Sequence, residues 1–139
     1  MPFPAHLELT GSFYRGQALG GLGGGAYKDY VYRATGDYLS FRALDDVGGW
    51  AQMKARLSER IQLNAAHGLD NAFAGELRPY ANADSYQNLA RNQTLFTNII
   101  YSPTGSTLFS LEYRRLGSAG VTGDRYDSDV IGIAAGYKF

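Results

Sequence analysis

The last ten residues of the chain, VIGIAAGYKF at positions 130–139, place an apolar side chain at every second position. Apolar residues occupy the odd-numbered positions, and Val130, three small residues and one lysine occupy the even-numbered ones. A period of two is the period of a β-strand, whereas a helix repeats every 3.6 residues. The segment therefore predicts a strand with two chemically different faces.

The same alternation recurs along the whole chain. We predict eight strands, at residues 6–18, 26–33, 38–45, 49–57, 60–69, 92–102, 106–116 and 128–139. The segment from Trp50 to Leu63 contains good helix formers, but its apolar residues also recur with a period of two. The predicted fold is all-β, an antiparallel up-and-down meander. The strands at 26–33 and 38–45 also fit a hairpin that stands on a long loop.

Composition limits the classes of function. A chain of 139 residues suits one domain, here residues 1–139, and its eighteen glycines and eleven tyrosines fit strands and turns. Thirteen basic residues balance thirteen acidic ones, so we expect no nucleic acid partner. The absence of cysteine excludes disulfides, a thiol nucleophile and cysteine-ligated metal sites.

The connections between the predicted strands alternate in length. Tight turns are expected at 34–37, 58–59 and 103–105, and longer joins at 20–25, 70–91 and 117–128. In a meander, this alternation puts the tight turns at one end of the sheet and the longer loops at the other. Outer-membrane barrels have the same asymmetry.

The two faces of the predicted strands differ in polarity. Two arrangements are consistent with this: a soluble barrel or sandwich with the apolar face inside, or a membrane barrel with the apolar face in lipid and the polar face around a lumen. Predicted strands of nine to eleven residues, small residues on the polar face and aromatic residues near strand ends favour the membrane arrangement. The candidate lumen-lining residues are Glu8, Arg42, Lys54, Arg56, Arg60, Gln62, Asn64, Asn98, Glu112, Arg114 and Lys138.

Charged groups inside a closed barrel must pair or contact water. We therefore expect Glu8 and Glu112 each to lie near an Arg or Lys of a neighbouring strand. A surplus of cationic groups in a wide lumen would favour anionic or polar solutes. In a narrow barrel, the same groups would form a plug.

The sequence contains no recognisable catalytic or cofactor motif. His6 and His67 fall in separate predicted strands without carboxylates at ligand spacing, so no metal or other cofactor is expected. The run Gly20–Gly25 lacks the Lys-Ser/Thr ending of a phosphate-binding loop and is interpreted as a mobile loop. The pair Asp45–Asp46 and the acidic residues of 124–129 are interpreted as solvated loop carboxylates. We predict that the protein is not an enzyme.

The closing segment resembles the last strand of Gram-negative outer-membrane β-barrels. The matching residues are Ile131, Ile133, Ala135, Tyr137 and Phe139. The resemblance implies that these five residues form the signal read by the barrel-assembly machinery. Together with FYRG at 13–16, GGLGGG at 20–25, VGGWAQ at 47–52 and LFSLEYR at 108–114, the chain resembles the C-terminal portion of porin-like outer-membrane proteins.

This resemblance implies a transmembrane barrel, either of eight strands or incomplete, in the outer membrane. Its partners would be the lipid bilayer, the assembly machinery and small polar or anionic solutes, and it would act as a passive channel or a structural barrel. Porin-like proteins are longer and begin with a signal peptide, which Met1–Pro4 does not resemble, so we expect either a single barrel domain or the C-terminal fragment of a larger barrel. Two alternatives remain: a soluble lipocalin-like barrel that binds a small ligand, and a structural β-protein that assembles through open strand edges.

Overall fold

The computed structural model describes residues 6–80 and 88–139. The all-β prediction is confirmed, and within these ranges the chain forms eight strands and one four-residue helix, α1, at Ala74–Leu77. The strands are β1 His6–Gln17, β2 Tyr30–Thr35, β3 Tyr38–Ala43, β4 Asp45–Arg56, β5 Ile61–Asn71, β6 Leu89–Tyr101, β7 Thr107–Gly120 and β8 Arg125–Tyr137. Short 3-10 turns occur at Gly20–Leu22, Gly25–Tyr27 and Arg78–Tyr80.

Six strands form one antiparallel sheet in the order β1-β4-β5-β6-β7-β8, and β2 and β3 form a separate two-stranded sheet. The alternative of a hairpin on a long loop is therefore correct for β2–β3. Pairing between sequence neighbours is wrong at that point, since β1 pairs with β4 along its whole length. The segment Trp50–Leu63 belongs to β4 and β5, and no helix forms there.

The connections of the six-stranded sheet leave it at the predicted ends, whereas the tight turn predicted at 34–37 belongs to the separate β2–β3 hairpin. At the turn end, the connections 57–60 and 102–106 lie side by side, because the Ser102 N–H donates to the Arg60 carbonyl at 2.8 Å. At the loop end, the Val121 N–H donates to the Asn88 carbonyl at 2.7 Å. The predicted loop at 117–128 is too long, because β7 continues to Gly120 and β8 begins at Arg125. Residues 81–87 of the predicted loop 70–91 lie outside the described residues.

The register of the sheet gives it two consistent faces. In the pairing of all six strands, odd-numbered residues lie opposite odd-numbered residues, apart from one irregularity between Leu89 and Arg91. Because side chains alternate between faces along a strand, all odd positions share one face and all even positions share the other. We call these the odd face and the even face.

Within the described residues, the hydrophobic core lies at the loop end. The hairpin, α1 and the loops pack there against Ala72 and Ala90, which are even positions of the chain. The buried cluster consists of Val31, Leu44, Ala72, Leu77, Ala90 and Val121. The connecting segments therefore cover part of the even side of the sheet.

The sheet has two open edges. Over the described residues, β1 pairs only with β4, and β8 pairs only with β7, so these residues do not form a closed barrel. Both edge strands are long, with twelve residues in β1 and thirteen in β8.

Candidate functional site: the even face and its anchored loop

Most of the predicted lumen-lining residues share the even face. Eight of the eleven lie there: Glu8, Lys54, Arg56, Gln62, Asn64, Asn98, Glu112 and Arg114. The other three lie elsewhere, since Arg42 is in the separate hairpin, Arg60 is in the turn before β5 and Lys138 follows the end of β8. The alternation of faces does not place these three residues on the even face, because they lie outside the strands of the six-stranded sheet.

The expected ion pair of Glu8 is confirmed. Glu8 lies directly opposite Lys54 in the β1–β4 register, and their Oε2 and Nζ atoms are 3.4 Å apart. The expectation for Glu112 is wrong in its partner: its Oε1 atom contacts Arg114 Nη2 at 2.7 Å on its own strand. The Arg114 guanidinium also lies 5.8 Å from the centre of the Phe96 ring on the neighbouring strand β6, which favours a cation–π contact.

Amide side chains connect the centre of the even face. Asn64 is buried, and its Nδ2 donates to Asn98 Oδ1 at 2.7 Å across the β5–β6 pair. Gln62 Nε2 donates to Asn64 Oδ1 at 2.9 Å. These bonds satisfy polar groups that are withdrawn from solvent, which would otherwise destabilise the sheet.

Two carboxylates hold a loop against the loop end of this face. We call residues 18–29 the anchored loop. The Gly25 N–H donates to Asp46 Oδ2 at 2.7 Å and to Asp70 Oδ1 at 3.0 Å, and the Ala26 N–H donates to Asp70 Oδ2 at 2.7 Å. Gly25 and Ala26 both have left-handed backbone conformations, with φ of +57° and +50°. The glycine removes the steric penalty at the first of these positions.

Tyr14 completes this cluster from the edge strand. Tyr14, Gly48 and Asp70 lie side by side across β1, β4 and β5, and the Tyr14 hydroxyl donates to Asp70 Oδ1 at 2.7 Å. A Cβ at residue 48 would overlap the Tyr14 hydroxyl. Glycine at position 48 therefore lets the tyrosine cross β4 and reach the carboxylate.

Burial changes the acid–base properties of the cluster. Asp46 is 1% exposed, and its Oδ1 accepts no hydrogen bond from the described residues. Burial, together with the nearby Asp70, raises the pKa of Asp46 to about 6. Burial and the hydrogen bond to Asp70 raise the pKa of Tyr14. Burial lowers the pKa of Lys28 to about 8, although Asp70 opposes that shift. Lys28 Nζ donates to the Leu89 carbonyl at 2.5 Å.

Sequence reasoning missed this cluster. The interpretation of Asp46 as a solvated loop carboxylate is wrong, because Asp46 is a buried residue of β4. The loop 20–25 is held by the hydrogen bonds of the Gly25 N–H, and 3-10 turns occur at Gly20–Leu22 and Gly25–Tyr27. A usable signal existed, since Tyr14, Asp46 and Asp70 are all even positions near predicted strand ends. Their proximity depends on the pairing of β1 with β4, which alternation alone does not determine.

The odd face carries the apolar residues. Most of its central positions are apolar, with His67 on β5 and Thr97 on β6 as the exceptions. Most of the large apolar side chains are exposed, including Leu9, Leu111 and Ile133. Ile131, Ile133, Ala135 and Tyr137, four residues of the predicted assembly signal, share this face with Phe109 and Leu111. We call this the apolar band. Toward the loop end, it gives way to a polar border made of Arg15, Asp45, Asn71, Arg91, Gln93, Arg115, Arg125, Asp127 and Asp129.

No described helix is long and apolar enough to span a membrane. In the same part of the chain, no group of three His, Asp or Glu side chains is placed to hold a metal ion. His6 and His67 occupy opposite faces of the sheet.

Comparison with protein-family models, curated proteins and solved structures gives no match. The geometry of the two faces is therefore the basis of the functional argument.

Proposed function

We propose that the chain is part of an outer-membrane β-barrel that acts as a porin-like passive channel. In this proposal, the odd face meets lipid and the even face lines the lumen. The observation that carries the proposal is the apolar band, which continues across all six strands of the sheet and is largely exposed.

The dimensions of the band support this proposal. On β4 the odd positions from Val47 to Ala55 carry only apolar side chains or glycine over nine residues, so the band extends about 30 Å along the strand and about 23 Å along a barrel axis at a tilt of about 40°. The apolar band of outer-membrane barrels is about 25 Å tall. At the turn end, it finishes in aromatic residues, with the Tyr137 and Phe139 rings 5.3 Å apart and edge to face. Such residues are typical of the membrane interface.

The border of the apolar band at the loop end crosses the sheet obliquely. One set of side-by-side residues begins with Phe13 on β1, includes Leu69 on β5 and ends with Asp127 on β8. The border thus lies closer to the turn end on β8 than on β1. Strands that tilt relative to a membrane plane produce this stagger.

The side on which loops pack also favours the membrane proposal over a lipocalin-like one. A soluble ligand-binding barrel would enclose its apolar face. Here the anchored loop and the packed core contact the even face, and Leu9, Ile131 and Ile133 remain 72%, 74% and 86% exposed. In water, an apolar surface of this extent would lead to association.

The even face provides a mixed polar surface for a lumen. Away from the loop-end carboxylates Asp46 and Asp70, this face carries three basic and two acidic residues, a surplus of one positive charge: Lys54, Arg56, Arg114, Glu8 and Glu112. This balance supports passage of small polar or anionic solutes. We propose no catalytic role for the described residues.

Closure of the barrel requires further strands at the edges of β1 and β8. A sheet of six antiparallel strands has edge strands that run in opposite directions, so β8 of one sheet can pair antiparallel with β1 of another while the loop ends stay together. This geometry also supports the second candidate, a protein that assembles through its open edges.

Single-cysteine labelling tests the orientation of the faces. The chain has no cysteine, so Ser110→Cys on the even face and Leu111→Cys on the odd face each introduce one thiol on the same strand. With the chain folded into phosphatidylcholine vesicles, we expect a water-soluble maleimide to react with residue 110 at least tenfold faster than with residue 111. Faster labelling of residue 111 would contradict the proposal.

Conductance and assembly test the remaining parts. Insertion of the chain into a planar bilayer should produce ion conductance if the lumen is open. Deletion of Phe139 should reduce outer-membrane assembly without changing synthesis, and full assembly of that deletion variant would contradict the role of the closing strand.

A further inference from the structure

Three arginines converge on the odd face at the loop end. They come from the three consecutive strands β6, β7 and β8, and the register places Arg91 and Arg125 on either side of Ala119. Arg115 lies on β7 two odd positions nearer the apolar band. The arginines surround a cavity of about 130 Å³ that is also lined by Gln93, Gly117, Ser118, Ala119 and Asp127.

Small residues on β7 keep this cavity open. Gly117 lies between Gln93 and Asp127 across the sheet, and a Cβ at this position would lie 3.0 Å from Asp127 Oδ1 and 3.1 Å from Gln93 Nε2. A larger residue would therefore displace both polar side chains. Since one water occupies about 30 Å³ in the liquid, the cavity has room for about four waters or for one tetrahedral oxyanion.

The charges around the cavity favour an anion. Three arginines and one acidic residue, Asp127, line the cavity, and Asp127 Oδ2 lies 3.3 Å from Arg115 Nη2. A second carboxylate, Asp129, lies opposite Arg115 across the β7–β8 pair, just outside the cavity lining, so the arginines still exceed the nearby carboxylates by one charge. Arg91 and Arg125 form no ion pair with any residue in the described ranges, and Arg91 Nη2 donates to Gln93 Oε1 at 2.9 Å. Two guanidinium groups thus have donors available, and guanidinium forks match the oxygens of phosphate.

The position of the cavity identifies the source of the phosphate. Arg115 follows Tyr113, the last band residue of β7 on this face, and is opposite Leu95 on β6. If the odd face meets lipid, the cavity lies at the level of the headgroups. We propose that Arg91, Arg115 and Arg125 bind the phosphate group of a lipid headgroup; this rests on the proposed function.

The test compares three probes with the full chain in dodecyl maltoside micelles: dioctanoyl phosphatidic acid, dioctanoyl phosphatidylcholine and inorganic phosphate. We expect phosphatidic acid to bind at least tenfold more tightly than the other two. The variant Arg91→Gln/Arg125→Gln should lose at least tenfold in affinity for phosphatidic acid, and Arg125→Gln alone about threefold. The matched control, Arg114→Gln, removes an arginine from the opposite face of β7 and should stay within twofold of the original chain.

Unchanged binding in both Arg125 variants would overturn the proposal. Equal affinity for inorganic phosphate and phosphatidic acid would overturn the lipid source and assign the cavity to a soluble phosphate. Labelling of residues 110 and 111 in the same variant backgrounds separates this inference from the proposed function. If residue 110 still reacts faster but lipid binding does not depend on the arginines, only the headgroup site is wrong.

Discussion

At the loop end of the sheet, Val31, Leu44 and Leu77 are buried in a cluster that also contains Val121. At the turn end, the largest apolar side chains lie on the odd face and are exposed, as for Leu111 at 51% and Ile133 at 86%. The first region has the organisation of a water-soluble domain, in which apolar groups leave water by packing on each other. The second has no packed partner for its apolar surface, so its stability depends on the medium that covers the odd face.

The largest effect is expected in the packed region. Leu77→Ala should lower the free energy of unfolding by about 2–5 kcal/mol, because Leu77 is 1% exposed and its removal leaves a cavity beside Val31 and Val121. Urea unfolding in vesicles, followed by the fluorescence of the single tryptophan, Trp50, measures this cost. The control is Leu22→Ala, where the side chain is 88% exposed and the change should be within about 0.5 kcal/mol. Equal costs for the two variants would contradict a packed core at the loop end.

The second-largest effect distinguishes the medium that contacts the odd face from the medium that contacts the even face. Leu111→Arg should cost about 2–4 kcal/mol when the chain is folded in a bilayer, since an arginine near the bilayer centre faces lipid. Ser110→Arg places the same charge on the even face of the same strand and should cost much less. The same unfolding measurement compares them. If Leu111→Arg changes stability by less than Ser110→Arg, the odd face does not meet lipid.

The strands were predictable because their signal is local. The alternation in residues 106–116 and 128–139 places Leu111 and Ile133 on the same face, and the structure shows them directly opposite each other. Pairing of β1 with β4 was not predictable, because nothing in the pattern of Leu7–Phe13 distinguishes Met53 from Tyr32 as a neighbour. The choice of β4 as the partner of β1 depends on contacts between residues distant in sequence, because the β2–β3 hairpin lies between these two strands along the chain.

The candidate site was predicted only in part for the same reason. The Glu8–Lys54 contact follows from opposite charges on the same face of paired strands. The roles of Asp46 and Asp70 arise from a loop more than twenty residues away along the chain, whose backbone N–H groups have no sequence signature. Asp127 likewise lies in a segment that the sequence pattern predicts as a loop, although it belongs to β8.

The third effect lies in the anchored loop and depends on pH. The pKa of Asp46 is about 6 in the folded chain and about 3.8 in the unfolded chain, so the folded state binds more protons between these values. The free energy of unfolding should therefore fall as pH rises through this window. Asp46→Asn removes the buried charge while retaining an oxygen for the Gly25 N–H, and it should raise stability at pH 7 by about 1–3 kcal/mol.

Unfolding of Asp46→Asn and the original chain at pH 4 and pH 7 checks this sign. The difference between the two chains should nearly vanish at pH 4, where Asp46 is protonated in the folded state. Asp45→Asn is the matched control, since its carboxylate is on the odd face and partly exposed, and its effect should be within about 0.5 kcal/mol at both pH values. A destabilised Asp46→Asn variant at pH 7 would show that the negative charge itself holds the anchored loop.

The smallest effect concerns the even face in the turn-end half, where Glu8 and Lys54 form an ion pair across β1 and β4. Both side chains are partly exposed, at 60% and 35%, so solvent screens their attraction and the coupling between them should be about 0.2–1 kcal/mol. A double-mutant cycle with Glu8→Gln and Lys54→Met measures this coupling, and it should decrease between 0.05 and about 0.5 M salt. The cycle Glu112→Gln with Arg114→Met is the control within one strand. A coupling above about 2 kcal/mol that does not respond to salt would mean that the even face near β1 is shielded from water in the folded assembly, as in a plugged barrel rather than an open channel.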